Sequence, residues 1–178
     1  MIPMRALVVF ESMFGNTRAI AEAVAGGLAT RMEVEVVEVG DAPVSVPADV
    51  DLLVVGGPTH AFGMSRPATR RSAAEQASGA LVSKGRGLRE WLTALGAPSG
   101  ALAAAAFDTR IKNPWVPGSA RRGVEKNLRG HGFAILTGSQ SFHVSGTPGP
   151  LLDGEVQRAH RWGTELASMR QAGVHRIT

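Results

Sequence analysis

The sequence predicts an α/β fold in which a parallel sheet is covered by helices on both faces. Short apolar runs rich in valine recur along the chain and are typical of strands buried on both faces. Between them lie segments whose apolar residues recur every three or four positions, as in amphipathic helices. Because strands and helices alternate, helical crossovers can join successive strands, which favours a parallel sheet.

The first part of the chain contains three predicted strands and one long helix. Residues 6–10 (ALVVF) are apolar and largely β-branched, which favours a buried strand. A helix is predicted from Thr17, since apolar residues then recur every four positions: Ile20, Val24, Leu28 and Met32. The valines at positions 34, 36 and 37 indicate a second strand, and two prolines place residues 41–48 in a loop. Residues 51–57 (DLLVVGG) form the third predicted strand.

The middle of the chain is less regular. Residues 67–78 are predicted to form a helix with proline in its first turn, and residues 79–87 form a loop. A short amphipathic helix is marked by four apolar residues, Leu88, Trp91, Leu92 and Leu95. Residues 101–107 (ALAAAAF) are ambiguous because alanine favours helix. Their position after Pro-Ser-Gly and before a polar loop favours a fourth strand.

The last part of the chain predicts one strand between two helices. Residues 108–119 are predicted as a loop, and residues 120–130 as a helix that glycines can end. Residues 133–137 (FAILT) are the fifth predicted strand, and residues 138–154 are a long loop rich in Gly, Pro and Ser. The final helix has Ala159, Trp162, Leu166 and Met169 on one face.

Composition limits the class of protein. The length of 178 residues and the absence of a linker or repeat predict a single domain over residues 1–178. No apolar run is long enough for a membrane span and no signal-peptide pattern occurs, so a cytoplasmic protein without membrane contact is expected. With no cysteine and no metal-ligand spacing among the five histidines, no metal site is expected. The net charge of +4 comes with only short basic pairs, which favours an ordinary surface over nucleic-acid binding.

The segment Ser12–Thr17 follows the first strand and precedes the first helix. Unpaired N–H groups at a helix N-terminus carry partial positive charge and can bind a phosphate. Gly15 allows the backbone to approach such a group closely. The residues alone leave two interpretations equal: a phosphate-binding loop, or a helix cap formed by Asn16 or Thr17. The patterns G-x-x-x-x-G-K-[ST] and G-x-G-x-x-G are absent here, which disfavours the two common nucleotide-binding motifs.

The sequence resembles the flavodoxin family at three loops. The family's phosphate loop reads Ser/Thr-x-Thr-Gly-x-Thr, and SMFGNT matches it at Ser12, Gly15 and Thr17. Phe14 stands where the family has a hydroxyl residue, which implies the loss of one hydrogen bond to the phosphate. The stretch GGPTHAFG resembles the family's loop against the isoalloxazine ring, and FDTR falls at the family's second ring loop.

The resemblance implies a three-layer, doubly wound flavodoxin-like sheet of five parallel strands in the order 2-1-3-4-5. It implies FMN as the cofactor, at the point beyond the strand C-termini where the strand order reverses. The implied cofactor-binding residues come from the three loops and the segment after the third: Ser12, Met13, Phe14, Gly15, Asn16, Thr17, Pro58, Thr59, His60, Ala61, Phe62, Gly63, Asp108, Thr109, Arg110 and Trp115.

The flavin ring requires flat neighbours, and this chain has no tyrosine. Phe62 and His60 on one side and Trp115 on the other are the candidates. Each has an alternative role: Trp115 as a packing residue or partner contact, and His60 as an exposed loop residue. A backbone group near Ala61–Gly63 is the candidate partner of flavin N5, with Gly63 permitting a peptide flip.

The charges near the predicted ring site are mostly basic, which favours the negative charge that FMN gains on reduction. We therefore predict an FMN-dependent oxidoreductase, linked to NAD(P)H or a quinone, that reduces a small acceptor by two electrons at N5. No catalytic side chain is assigned, since N5 carries the chemistry. The alternatives are an electron-transfer protein that docks to redox partners and a flavin-free scaffold. Residues 64–87 are long enough for a lid or a contact in a homo-oligomer.

Overall fold

Strands and helices alternate along the chain in the computed structural model, which describes residues 2–77 and 79–175. The strands are β1 (Arg5–Phe10), β2 (Glu33–Glu38), β3 (Leu52–His60), β4 (Gly63–Met64), β5 (Ala103–Ile111), β6 (Ala134–Ile135) and β7 (Gln140–Val144). The helices are α1 (Asn16–Leu28), α2 (Pro67–Gln76), α3 (Leu88–Ala94), α4 (Ala120–Gly130) and α5 (Glu155–His175), with a 3-10 turn at Val39–Asp41. The predicted helix end at Ser78 lies outside the described residues.

The sheet has the strand order β2-β1-β3-β5-β6, and all these neighbours are parallel. The short strand β4 lies outside this order and forms an antiparallel hairpin with β3. Strand β7 pairs with β5 beyond the end of β6. With β4 set aside, this order confirms the predicted doubly wound order 2-1-3-4-5. The order reverses between β1 and β3, so their C-terminal ends border the crevice where α/β proteins bind ligands.

Three strand boundaries differ from the prediction. Strand β3 continues to His60 because its last two residues pair with β4, and β5 continues to Ile111 because its end pairs with β7. The loop predicted from residue 108 therefore begins only after Ile111. The fifth strand is also shorter than predicted at residues 133–137, and it resumes as β7 inside the predicted loop 138–154. Phe142 and Val144 bury one face of β7, although few apolar residues mark this segment in the sequence.

The core has one layer on each face of the sheet. On one face α1 and α5 cover Val8 and Val54, and on the other α3 and α4 cover Val9 and Val55. Glycines let α1 and α5 approach closely, since a Cβ at Gly163 would overlap the Val24 carbonyl oxygen. Within the described residues, no helix is both long and apolar enough to cross a membrane.

Candidate functional site

Two adjoining cavities lie at the C-terminal ends of β1, β3 and β5. The narrower has a volume of about 80 Å³ and lies over the segment Ser12–Thr17. The wider has a volume of about 360 Å³ and lies between the β3–β4 hairpin and α2. Both are lined by Thr59, His60, Arg110, Ile111 and Thr147, so they form one continuous site.

The N-terminus of α1 is open toward the narrow cavity. Its N-cap residue is Gly15, at φ +96°, and no side chain caps the helix. Asn16 and Thr17 are inside the first turn; Asn16 Nδ2 donates to the Pro148 carbonyl, and the Thr17 and Thr109 hydroxyls share a 2.7 Å hydrogen bond. Because neither residue caps the helix, the structure removes the capping interpretation. Nothing lies within 4 Å of a Cβ placed on Gly15, although Gly15 itself does not line the narrow cavity.

The segment after α2 forms hydrogen bonds with the backbone of the Ser12–Thr17 loop. The Gly15 N–H donates to Ser12 Oγ over 3.0 Å, which closes the turn. The N–H of Ser83 donates to the Ser12 carbonyl at 2.7 Å, and the Ser12 N–H donates to Ser83 Oγ at 2.9 Å. Met13 is buried, and its carbonyl accepts from the N–H of Val82. Sequence reasoning missed Ser83, because an isolated serine in a glycine-rich loop carries no pattern.

Asp108 stabilises the start of α4 rather than lining either cavity. Its buried Oδ2 accepts hydrogen bonds from Thr59 Oγ1 at 3.1 Å and from the Arg121 N–H at 3.0 Å. Thr59 Oγ1 also accepts from the Ala120 N–H, so these two side chains together cap the helix. Asp108 therefore contributes to the site through α4 and Thr59.

The β3–β4 hairpin turns at Ala61 and Phe62, which have φ values of +45° and +74°. Positive φ at both central residues is the geometry of a type I′ turn, which normally selects Asn and Gly. Both residues lie in the Ala61–Gly63 segment in which the backbone partner of flavin N5 was predicted. Phe62 is 58% exposed and forms part of the wider cavity's wall. Strain of this kind in a site is a sign that function maintains it.

We expect Ala61→Gly to stabilise the protein by about 0.5 kcal/mol. Relief of a positive φ is worth ~1–2 kcal/mol, and the greater freedom of glycine in the unfolded chain offsets part of it. Urea unfolding of both proteins measures the difference. Ala74→Gly on the exposed side of α2 is the control and should cost about 1 kcal/mol. A destabilised Ala61→Gly protein would show that the turn is not strained.

Trp115 lies apart from both cavities. The residue is 89% exposed, and its backbone N–H donates to Asn113 Oδ1. Ile111 and Val116 form the apolar wall on this side instead. One face of α2 completes the wider cavity with residues spaced i, i+3, i+4 and i+7: Thr69, Ser72, Ala73 and Gln76. That spacing is visible in the sequence and is the signal by which this wall could have been found.

Fewer charged side chains line the site than the sequence suggested. Among the described wall residues of both cavities there is no Asp or Glu, and Arg110 is the permanently charged group. The Arg110 guanidinium donates to the Val116 carbonyl at 2.8 Å. Arg70 instead pairs with Glu90, and Arg121 donates to Ser139 and Ser141. The basic character of the site therefore comes from Arg110 and, when protonated, His60.

His60 joins the hairpin to α2. Its Nδ1 lies 3.2 Å from Thr69 Oγ1. Burial lowers the pKa of His60 below its ordinary value, and the Arg70 guanidinium lowers it further. The imidazole is therefore mostly neutral at pH 7.

Glu11 lies next to the site without entering it. Burial raises the pKa of this carboxyl group, although Oε1 accepts hydrogen bonds from Ser65 Oγ at 2.7 Å and the Leu88 N–H at 2.8 Å. These bonds connect the end of β1 to the starts of α2 and α3. Glu11 therefore helps to position α2, which forms one wall of the wider cavity.

Together, the fold and the site define an α/β protein with an uncapped helix N-terminus beside a larger cavity at the reversal of strand order. The flavodoxin family model matches residues 8–111, more than half of the chain. The chain belongs to the flavodoxin family, whose members bind FMN, and FMN is its cofactor. No curated protein sequence matches it.

Solved structures share the fold over almost the whole chain. A flavodoxin from the domain Archaea is 19% identical, with a TM-score of 0.65, over 94% of this chain and 99% of its own. Flavodoxin 1 from Bacillus cereus is 19% identical, with a TM-score of 0.65, over 92% and 97%. A flavodoxin WrbA-like protein from Agrobacterium tumefaciens is 17% identical, with a TM-score of 0.60, over 95% and 98%. At these identities the likeness shows the fold alone.

Proposed function

We propose that this protein is an FMN-dependent oxidoreductase that reduces a small acceptor, such as a quinone, by two electrons. The observation that carries the proposal is the charge of the site, where Arg110 lines both cavities and no described wall residue is acidic. Bound FMN supplies the redox chemistry through N5, and the protein supplies binding, orientation and shielding. A nicotinamide nucleotide is the proposed electron donor, and the cytoplasm is the proposed location of the protein.

The cavities fit the two ends of FMN. The narrow cavity is lined by Asn16 and Thr17 in the uncapped first turn of α1, whose N–H groups suit a phosphate. The wider cavity has the apolar surfaces of Phe62, Ile111 and Val116, which suit a flat ring. The residues proposed to hold the cofactor line these cavities: Ser12, Met13, Phe14, Asn16, Thr17, Pro58, Thr59, His60, Ala61, Phe62, Thr109, Arg110, Ile111 and Val116.

Arg110 is placed to favour reduction. A cation next to the ring stabilises the negative charge that FMN gains, and burial strengthens that interaction. An acidic wall would have the opposite effect and would give the low potential of an electron shuttle. The full two-electron reduction of bound FMN is therefore expected at a potential not far below that of free FMN.

A redox titration tests this assignment. In Arg110→Gln, the potential for full reduction should fall by about 30 mV, which corresponds to ~1.4 kcal/mol for two electrons. The control Arg122→Gln changes a charge on the exposed side of α4, outside both cavities, and should leave the potential unchanged. A wild-type potential far below that of free FMN, or equal shifts in both variants, would contradict the proposal.

A second candidate function is electron transfer to a redox partner protein. It is favoured by exposed apolar side chains around the site, namely Phe62, Ile111 and Trp115. Consumption of NAD(P)H with a quinone and no partner protein separates the two functions. A purified protein without flavin absorbance would instead support the third candidate, a flavin-free scaffold.

A further inference from the structure

We propose that His60 is the proton-transfer residue of this site, and that Thr69 holds its ring with Nε2 free for an acceptor. The acceptor is a quinone, or another planar compound with two conjugated carbonyl groups. This inference rests on the proposed two-electron reduction and extends it, because that reaction requires a second proton that FMN does not provide.

The position of His60 suits this role. It is the last residue of β3, it is half-buried, and it lines both cavities. Its Nδ1 contacts Thr69 Oγ1, while Nε2 has no hydrogen-bond partner among the described residues. One ring nitrogen is therefore fixed by the protein and the other is left for a ligand.

The bonds of Thr69 determine which nitrogen carries the fixed proton. Thr69 Oγ1 accepts from the Arg66 N–H at 2.8 Å and lies 3.0 Å from the Arg66 carbonyl. A carbonyl can only accept, so the hydroxyl proton points to Arg66. Oγ1 then faces His60 with a lone pair, and Nδ1–H must be the donor. In neutral His60 the proton is on Nδ1 and Nε2 is bare; in the protonated form Nε2–H points to the cavity.

The surroundings of His60 make its protonated form a stronger acid than a free imidazolium group. The charged groups that face it are Arg70 on α2, itself paired with Glu90, and Arg110 on β5. Burial lowers the pKa of His60 and the Arg70 guanidinium lowers it further, so the imidazolium gives up its proton more easily than a free one. The protonated form is then populated only below the ordinary value of about 6.5.

With His60 as the proton donor, the protons and electrons of quinone reduction balance. With FMN bound and reduced by a nicotinamide nucleotide, two electrons and one proton would reach one carbonyl oxygen of the quinone. The bond from His60 Nε2 to its proton breaks, and that proton forms the second O–H bond of the hydroquinone product. Neutral His60 then recovers a proton from water.

The first test compares His60→Gln with wild type, both loaded with FMN, in the reduction of a soluble benzoquinone. For wild type, kcat/KM should rise as the pH falls through the lowered pKa of His60. The variant should lack this rise, with a loss of about 100-fold near pH 5.5 that shrinks to almost none near pH 8.5. His131→Gln, at the far end of α4, is the matched control and should keep the wild-type profile.

The second test does not depend on turnover. Nitrogen-15 NMR of histidine in the FMN-loaded wild type should show His60 as the Nδ1–H tautomer at neutral pH, titrating below 6.5. Thr69→Val removes the acceptor and should give a mixture of tautomers. An Nε2–H tautomer in wild type would overturn the proposal even if His60→Gln failed to fold.

The two proposals fail in different ways. A wild type that reduces quinones with a pH profile unchanged in His60→Gln would overturn proton transfer by His60 and leave the proposed function standing. A wild type that binds FMN but reduces no quinone would overturn both.

Discussion

Gly163→Ala should destabilise the protein by about 3 kcal/mol or more, because its Cβ has no room between α1 and α5. The added atom would overlap the Val24 carbonyl oxygen and approach the Val24 Cα at 3.1 Å. Backbone atoms cannot rotate away as a side chain can, so the two helices must separate. They pack on one whole face of the sheet, and their separation would expose Val8 and Trp162.

The same substitution ten residues further along α5 is the control. Nothing lies within 4 Å of a Cβ on Gly173, so Gly173→Ala should be neutral or stabilise by about 0.5 kcal/mol. Thermal unfolding of both variants measures the difference, and a loss of ~3 kcal/mol lowers Tm by roughly 6–12 °C in a chain of this size. Similar Tm values for the two variants would contradict the close packing of α1 on α5.

Gly15→Ala should weaken FMN binding about 100-fold, which is ~2.7 kcal/mol. Gly15 is the N-cap of α1 and lies between the cavity-lining residues Phe14 and Asn16, so a side chain here is expected to disturb the turn that presents the proposed phosphate site. At φ +96° the alanine would also be strained by ~1–2 kcal/mol, so some loss of stability is expected as well. Quenching of FMN fluorescence on titration with the protein gives the dissociation constant.

The control variant Gly100→Ala distinguishes loss of the phosphate site from the effect of backbone strain alone. Gly100 has φ +93° and open space around its Cβ position, and it precedes β5 at the end of the sheet away from the cavities. Its substitution should destabilise the protein by a similar ~1–2 kcal/mol with unchanged FMN affinity. If Gly15→Ala bound FMN as tightly as Gly100→Ala does, the loop would not be the phosphate site.

The strand order and the position of the Ser12–Thr17 loop between β1 and α1 were predictable because they depend on local patterns. Alternating apolar strands and amphipathic helices define the doubly wound sheet, and Gly15 between a strand and a helix marks the loop. The structure of the residues after Phe107 was harder to predict from the sequence. The register of β5 against β3 and β7, which extends β5 to Ile111 and turns Asp108 toward α4, depends on partners distant in sequence.

The order of elements and a short motif were enough to predict the family, the cofactor and a site at the C-terminal edge of the sheet. The surroundings of the loop depend on tertiary contacts. The tertiary structure left Trp115 exposed and placed Ile111 and Val116 in the wall. It also paired Arg70 with Glu90 and kept Arg110 in the cavity. Burial and ion pairing are set by residues far apart in the chain, and local periodicity does not encode them.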